Sequence, residues 1–468
     1  MIAPFVYSSR CYLRSTLKNT LMSSLTYAYP RPSALVSSPD SDRLFLSKFN
    51  EEKKKQGACF FWGRLTDPYH TARCLITLSK IVQSNFMLTA EELSRIKDPI
   101  VTSGNGKIRM EAFSVCAGVY ARTDIMEGGH DGEFLENGTT NVDFNIPLVT
   151  ALNQIQQSDQ LVLSVGDKEV GFHKEGESII ERKVPLPTKW IKGLTTVQHF
   201  LAESEEVAVL TRVQALALFR TVRMSKVKTD YHLVKRGTKY QFSPSAHNSL
   251  ACVGGMHRLA LLQPLLPMIS ALRIYRHEHD QAVSFVLEMG EVHFTFSISR
   301  NYFRGFSGEG AVLDDLIEDL PADLISAFDH YSFANQEYDH ISTTMAHDLD
   351  LGKIEKLSAK LAAMGLLGYD LQVRKYYYRR LPFKLNRILS LNPRLKGAQK
   401  LLEEHKVLIK KRSGDRVEAS VKGSQGFDHF VLLEGDTEKC TCLWYSRHQG
   451  ERGSCKHVLA VKKMILNN

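Results

Sequence analysis

The sequence predicts a multidomain protein of the α+β class, with a large mixed N-terminal region, a winged-helix-like segment and a small C-terminal ββα finger. The chain has 468 residues, which is too many for one ordinary hydrophobic core. Segments with apolar residues at helical spacing alternate with strand-like segments. Three of the eight cysteines lie close together near the C-terminus. The predicted divisions are an N-terminal arm or leader (1–50), two mixed α/β regions (51–184 and 185–350), a helix with a hairpin (351–400) and the finger (401–468).

The charge of the chain is concentrated in its last quarter. Hydrophobic residues make up 43% and charged residues 24%, which is ordinary for a globular protein. Of the net charge of +9, residues 352–468 hold 24 Lys+Arg against 11 Asp+Glu, and residues 1–351 hold 36 against 40. No apolar run reaches the ~18–20 residues of a membrane-spanning helix. The basic quarter therefore predicts an acidic partner, either a nucleic acid or a protein.

The first mixed region is predicted to contain two helices followed by strands. Apolar side chains recur at helical spacing over residues 68–84, and a capping-box pattern begins a second helix at Thr89, with Glu92 three positions later. Residues 108–125 have the composition of strands. Residues 128–142 contain four glycines and several charges, and this predicts a loop.

The middle of the chain is predicted to mix short strands with helices. Alternating apolar residues and turn residues mark out these segments. They are strands at 161–165, 169–172 and 178–184, helices over 195–225, a strand at 292–297, and a turn at 305–310 before a helix that begins at Ala311.

A distinct segment at 352–382 resembles the last part of a winged helix. An amphipathic helix over 353–364 ends at Gly365, and 369–378 is predicted to form a β-hairpin rich in tyrosine. Basic residues interleaved with tyrosines can pair with phosphates and stack on bases. The alternative is a hairpin that packs on its own helix and leaves a solvated charged face. The candidate nucleic-acid contacts are Arg374, Lys375, Arg379 and Arg380.

The most specific pattern is Cys440-x-Cys442, twelve residues, then Cys455-x-His457. Two short chelating pairs joined by a loop can surround one tetrahedral Zn²⁺ ion, because Zn–S and Zn–N bonds of about 2.3 and 2.0 Å place neighbouring ligand atoms roughly 3.5–4 Å apart. Four protein ligands leave no open position, so a structural site is predicted. His448 in the connecting loop is the one rival ligand. The alternative is three buried thiols and a surface histidine that bind no metal.

No other pattern supports catalysis, so a non-enzymatic protein is predicted. The stretch at 305–309 misses the nucleophile elbow because Glu309 stands where the last glycine is required. The chain has no Walker loop. His277 and His279 lie near Asp280 but have no further cluster in the sequence, so they are interpreted as solvent-facing.

The Cys-x-Cys and Cys-x-His frame, followed by an apolar helix over 458–466, resembles the SWIM zinc finger. Further stretches resemble bacterial SWIM zinc-finger proteins encoded beside a MoxR-type AAA+ ATPase and a von Willebrand factor A-domain protein. These stretches are 106–122, 186–190, 305–310, 380–382 and 392–395. The resemblance implies that these two proteins are partners. Ser454 stands where the family often has proline, and this should not disturb ligation.

The N-terminus allows two interpretations. Residues 1–39 are basic and rich in Ser and Thr, as in a mitochondrial transit peptide, or the natural start is Met22. The family resemblance favours Met22. Five further cysteines lack any pairing rhythm, which indicates a reducing compartment, and we expect a cytoplasmic protein.

Two functions follow from the sequence. The first is a non-enzymatic zinc-binding adaptor that works with the ATPase and the von Willebrand factor A-domain protein. The second is a nucleic-acid-binding protein that uses the basic quarter. The family resemblance favours the first, and the distribution of charge favours the second.

Overall fold

The computed structural model divides the chain into two compact units, Met1–Gln56 and Gly57–Asn468. The described residues are 34–38, 41–45, 58–84, 99–174, 177–186, 188–223, 225, 229–301, 305–307, 316, 351–379, 381, 392–423, 426–450 and 452–466. In the first unit they form one antiparallel hairpin, β1 (Ala34–Ser38) with β2 (Ser41–Phe45). Among the described helices, none is both long and apolar enough to cross a membrane.

The described part of the second unit is mostly strands, with eight α-helices. The strands are β3 (Cys59–Leu65), β4 (Ile100–Gly104), β5 (Lys107–Phe113), β6 (Val119–Ile125), β7 (His130–Phe134), β8 (Gly138–Asn141), β9 (Val162–Gly166), β10 (Glu169–Lys174), β11 (Glu177–Arg182), β12 (Ser204–Thr211), β13 (Tyr231–Arg236), β14 (Lys239–Ser243), β15 (Ser249–Val253), β16 (Ala271–His277), β17 (Ala282–Met289), β18 (Val292–Ser299), β19 (Leu367–Asp370), β20 (Lys375–Tyr378), β21 (Val407–Ser413), β22 (Arg416–Lys422), β23 (Asp428–Glu434) and β24 (Thr437–Cys440). The helices are α1 (Pro68–Gln83), α2 (Ile146–Asn153), α3 (Thr188–Ala202), α4 (Arg212–Phe219), α5 (Leu351–Ala363), α6 (Pro393–Glu403), α7 (Leu443–His448) and α8 (Lys456–Leu466).

An eight-stranded antiparallel sheet is the centre of the second unit. Its order is β12-β16-β17-β18-β6-β5-β4-β8. The pairing of β18 with β6 joins the two predicted mixed regions, 51–184 and 185–350, in one sheet. Helix α1 packs against β5 and β6. It begins where the Asp67 side chain accepts a hydrogen bond from the backbone N–H of His70 (3.2 Å), and Pro68 fits the first turn because its missing N–H is not needed there.

The strands between Cys59 and Val253 also form two smaller sheets. Their strand orders are β11-β10-β9-β3-β7 and β14-β13-β15. Strands β7 and β8 occupy the stretch predicted as a loop, so that prediction is wrong. Glycine at these positions lets the backbones of β3 and β7 approach closely. A Cβ atom on Gly63 of β3 would lie 2.4 Å from the Cα atom of Gly132 in β7. The helical prediction over 195–225 also missed β12, which lies between α3 and α4.

The buried apolar residues form three clusters. The largest fills the space around the eight-stranded sheet. A small one joins α5 to the hairpin of β19 and β20, through residues such as Leu361 and Leu367. The third unites α6, α8 and the four-stranded sheet β21-β22-β23-β24. We call residues 392–466 the C-terminal module. Helix α6 belongs to this cluster and crosses the predicted boundary after residue 400.

Several predicted elements agree with the structure. The mixed α+β class is confirmed, and α1, β9 to β11, β18 and the helix with its hairpin at 351–378 lie close to their predicted positions. At 305–307 a short 3₁₀ turn forms. Gly305 has φ +52°, and a Cβ atom there would lie 2.0 Å from the carbonyl oxygen of Ala117. The predicted helices from Thr89 and Ala311 and the choice between Met1 and Met22 lie outside the described residues.

Candidate metal centre

The C-terminal module brings all four predicted metal ligands together. Cys440 ends β24, Cys442 caps the N-terminus of α7, Cys455 precedes α8, and His457 lies in the first turn of α8. All four residues are buried. One ligand atom from each can be chosen so that all four lie within 4.8 Å of one another. Among the described residues this is the one group of three or more His, Cys, Asp or Glu side chains that could hold a metal ion.

The distances fit the coordination shell of a metal such as zinc. The Nδ1 atom of His457 lies 3.9 Å from the Sγ atom of Cys440 and 4.0 Å from that of Cys455. Neighbouring ligands in a tetrahedral zinc site are separated by roughly 3.5–4 Å. Three thiols and one imidazole are also the donor set that structural zinc sites favour. The residues therefore fit a metal ion bound through Nδ1 of His457.

Backbone N–H groups point at two of the sulfur atoms. The N–H of Tyr445 donates to Sγ of Cys442 (3.4 Å), and the N–H of Val458 donates to Sγ of Cys455 (3.5 Å). Such bonds favour the thiolate form, which is the form that binds metal. Both donors lie in the first turns of α7 and α8, where N–H groups have no partner within their own helix.

The thiols compete for protons when no cation is bound. The hydrogen bond with Cys442, with smaller contributions from Cys455 and from burial, raises the pKa of the Cys440 thiol. Hydrogen bonds with Cys440 and, to a smaller extent, with Cys455 lower the pKa of the Cys442 thiol. Three buried thiolates repel one another, so the cluster keeps protons until a dication replaces them.

Helix α6 holds the turn that precedes Cys455. One guanidinium nitrogen of Arg394 donates to the carbonyl oxygens of Arg452 (2.8 Å), Gly453 (3.2 Å) and Ser454 (2.8 Å). The guanidinium carbon also lies 4.8 Å from the ring centroid of Trp444 in α7. Arg394 thus connects both halves of the metal centre to α6. No pattern in the sequence predicted this role, because its partners are backbone atoms almost sixty positions away.

A second contact fixes β24 to the same turn. The Glu438 carboxylate accepts hydrogen bonds from the Ser454 hydroxyl (2.6 Å) and from the Lys462 ammonium (3.0 Å). The Lys462 ammonium also donates to the Ser454 oxygen (3.2 Å). Ser454 therefore ties the turn to β24 and α8 by hydrogen bonds.

The other histidine candidates lie outside the cluster. His448 contacts Trp444 edge-to-face, with ring centroids 4.4 Å apart, and its Nε2 atom is 3.3 Å from Arg452. The Nε2 atom of His277 is 3.0 Å from a Glu203 carboxylate oxygen. His277 is buried, so the prediction that it faces solvent is wrong; His279 is exposed, as predicted.

The four predicted nucleic-acid contacts divide into three groups. Arg374 and Lys375 lie at the hairpin turn and are exposed. Arg380 lies outside the described residues. Arg379 is fully buried and forms two hydrogen bonds to the Glu111 carboxylate, so its prediction as a phosphate contact is wrong. Arg379 follows β20 at the end of the hairpin that contacts β5, whereas Arg374 and Lys375 lie at its turn, which faces solvent.

Arg379 belongs to a buried polar network that binds the hairpin to the large sheet. The Glu111 carboxylate also accepts hydrogen bonds from the hydroxyls of Tyr120 (3.2 Å) and Tyr377 (3.3 Å). The Arg109 guanidinium lies 3.8 Å from the Tyr377 ring centroid. We call Arg109, Glu111, Tyr120, Tyr377 and Arg379 the Glu111 network.

Asp370 adds a second anion to this contact. Burial alone would raise the pKa of its carboxyl group. The charges of Arg122, Arg109 and Lys107 outweigh burial and lower this pKa to about 2. The contact between the hairpin and the large sheet therefore relies on paired charges, so the loss of one charge would leave its partner buried without compensation.

Comparisons with known proteins leave the family open. No family model matches the chain, and no curated protein matches it. Solved structures with some likeness include the proliferating cellular nuclear antigen of Entamoeba histolytica, with 10% identity, a TM-score of 0.35, and coverage of 52% of this chain and 98% of that one. The DNA polymerase sliding clamp of Caulobacter crescentus has 10% identity, a TM-score of 0.34, and coverage of 80% and 84%. TM-scores this low support no conclusion about this chain.

Proposed function

We propose that the C-terminal module contains a SWIM-type ββα finger that binds one structural Zn²⁺ ion through Cys440, Cys442, Cys455 and His457. The observation that carries this proposal is the buried group of three thiols and one imidazole. The order of β23, β24 and α8 is the order expected for such a finger. When bound, the metal would crosslink β24, the start of α7 and the start of α8, and four protein ligands would leave no position for a substrate.

We further propose that the protein is a non-enzymatic adaptor. Its partners would be the MoxR-type AAA+ ATPase and the von Willebrand factor A-domain protein that the sequence resemblance implies. A cytoplasmic location belongs to this proposal, since thiol ligands must remain reduced to bind metal. The metal would act by keeping the surface of the C-terminal module in one conformation for the partner.

Co-purification tests the adaptor function. The tagged full chain should retain the ATPase and the von Willebrand factor A-domain protein from the same organism, and the Cys442→Ser variant should retain less of at least one of them. Cys252→Ser is the matched control, because Cys252 is buried far from the cluster in sequence and belongs to another sheet. Failure of the unmodified chain to retain either protein contradicts the adaptor proposal and leaves the metal site untouched.

A second candidate function is nucleic-acid binding by the basic quarter. The specific observation in its favour is that Arg374 and Lys375 project into solvent at the hairpin turn. A salt titration tests it, since log K should fall with log[salt] by about 0.9 for each phosphate contact on duplex DNA. Reversal of Arg374 and Lys375 to Glu should flatten that slope. Absence of binding at low salt contradicts this candidate.

A further inference from the structure

The two faces of the four-stranded sheet in the C-terminal module differ. Val417, Ala419 and Val421 of β22 and Val431 and Leu433 of β23 are buried in the core with α8. Alternate residues of the same strands point the other way. On that side lies an open groove of about 810 Å³. We call it the outer groove, and its lining includes Lys410, Phe430, Leu432, Lys439, Thr441 and Tyr445.

An exposed aromatic ring lies in the outer groove. Phe430 is 53% exposed, although a phenylalanine in a strand normally packs into a core. The Lys410 ammonium lies over this ring, 4.5 Å from its centroid. Lys439 pairs in register with Leu432, the next residue of β23 that points to the same face as Phe430. Lys410 of β21 therefore lies over the ring, and Lys439 of β24 lies on the same face of the sheet.

The electrostatic balance of this face is positive. Arg416 pairs with both acidic residues beside it, at 2.9 Å from Glu418 and 3.3 Å from Glu434. Lys410 and Lys439 form no ion pair with any residue that the structure describes. The single charge of Arg416 offsets one of these two carboxylates, and Lys410 and Lys439 add two positive charges, so these five groups together leave a net charge of +1 for a ligand.

We propose that the outer groove binds single-stranded nucleic acid, with one base stacked on Phe430 and the flanking phosphates bound by Lys410 and Lys439. This inference deepens the second candidate function above, because it names the surface and the class of nucleic acid. Stacking on an exposed aromatic ring requires the flat face of a base, which a duplex hides. The Lys410 side chain is long and flexible, so its ammonium can leave the ring for a phosphate when a base arrives.

The test is a fluorescence anisotropy titration of a labelled oligothymidine, roughly 16 nucleotides long, with the zinc-loaded full chain at low salt. Phe430→Ala should weaken binding about tenfold, which is the usual scale for the loss of one stacked base. Phe430→Tyr keeps an aromatic ring and should bind like the unmodified chain. Phe427→Ala is the matched control, because Phe427 is 72% exposed but lies in the connection between β22 and β23, outside the groove lining.

Two further measurements separate the charge from the ring. Lys410→Ala combined with Lys439→Ala should flatten the salt dependence by about 0.7 per lost contact on a single strand. Zinc content, measured on the same samples, should stay unchanged in every variant, because none of these residues is a ligand. A loss of binding in the lysine variant with full zinc content supports the proposal even where Phe430→Ala disturbs folding.

The outcomes that overturn the proposal are distinct. Unchanged binding of both Phe430→Ala and the lysine variant overturns the outer groove and leaves nucleic-acid binding elsewhere on the chain. No binding by the unmodified chain overturns the groove and the second candidate function together. Tighter binding of a duplex of equal length, or complete displacement of the oligonucleotide by polyglutamate of equal charge, shows that the groove does not select single strands.

Discussion

The region around the eight-stranded sheet and the C-terminal module fill their interiors in different ways. The first buries a large set of apolar side chains, with the Glu111 network as a polar inclusion at the hairpin contact. The second is a small sheet with three helices, and three of its buried core residues are the cysteines of the metal cluster. A domain of roughly 75 residues buries little apolar surface and is only marginally stable from its core alone. Bonds from the four ligands to a metal ion would supply part of the stability that a larger core provides.

Dependence on metal and dependence on buried charge should therefore separate along the chain. Removal of the metal ligands should affect the C-terminal module and spare the large sheet. Disruption of the Glu111 network should do the reverse. The following variants test that separation, beginning with the largest expected effect.

Cys442→Ser should abolish metal binding and unfold the C-terminal module, because in small metal domains the free energy of metal binding is largely the free energy of folding. Hydrogen exchange should show loss of protection in β21 to β24 and α8, with protection retained in β5, β6 and β18. Cys252→Ser is the control. Loss of protection throughout the chain would show that the two regions fold as one.

Arg379→Met should destabilise the large region by about 3–5 kcal/mol, because it leaves the Glu111 carboxylate buried without its charged partner. Denaturant unfolding followed by a probe in the large sheet measures this loss, while zinc content should not change. The double variant with Glu111→Leu should recover most of the stability, since it removes both charges. A single variant as stable as the unmodified chain would mean that Arg379 is not buried in solution.

Asp370 predicts how the hairpin contact responds to acid. Its folded-state pKa of about 2 lies below the ordinary value of 3.8. The ionised carboxylate therefore stabilises the folded state above about pH 4, and this contribution is lost as the pH falls toward 2. Asp370→Asn should be less stable at neutral pH and should lack this part of the acid sensitivity. Equal pH profiles for both proteins, measured by denaturant unfolding between pH 2 and 6, would contradict the assignment.

Arg394→Ala should leave the four ligands in place but loosen the turn before Cys455. Removal of a residue that orients metal ligands typically lowers metal affinity by about 10-fold or more. Competition with a chromophoric chelator measures this change. Lys400→Ala is the control, because Lys400 lies on the same helix with an exposed side chain. Equal affinities would show that α6 does not support the site.

The metal centre could be predicted from the sequence because its ligands come in two adjacent pairs, each readable from local spacing. Helix α1 and strand β18 were also predictable, since their apolar periodicity is regular over the whole element. Strand β12 was not, because this edge strand has two adjacent glutamates near its start and lies directly between two helices, so it has no clear alternating pattern of its own.

The burial of Arg379 could not be predicted from its neighbours in the sequence either. Its partner Glu111 lies 268 positions away, and only the pairing of distant strands brings the two together. The same holds for the glycines of β7 and β8, which resemble loop residues until β3 is placed beside them. Sites formed by neighbours in the chain were thus predictable, whereas sites formed by the pairing of distant strands were not.

Elemental analysis of the purified full chain is the most direct test of the central claim. We expect one zinc ion per chain, bound by the Cys440, Cys442, Cys455 and His457 cluster, and its loss in Cys442→Ser. The sample must be purified without chelators and under reducing conditions, because oxidised thiols cannot bind metal. Native protein that contains no zinc under these conditions, or a Cys442→Ser variant that keeps the full stoichiometry, would contradict it.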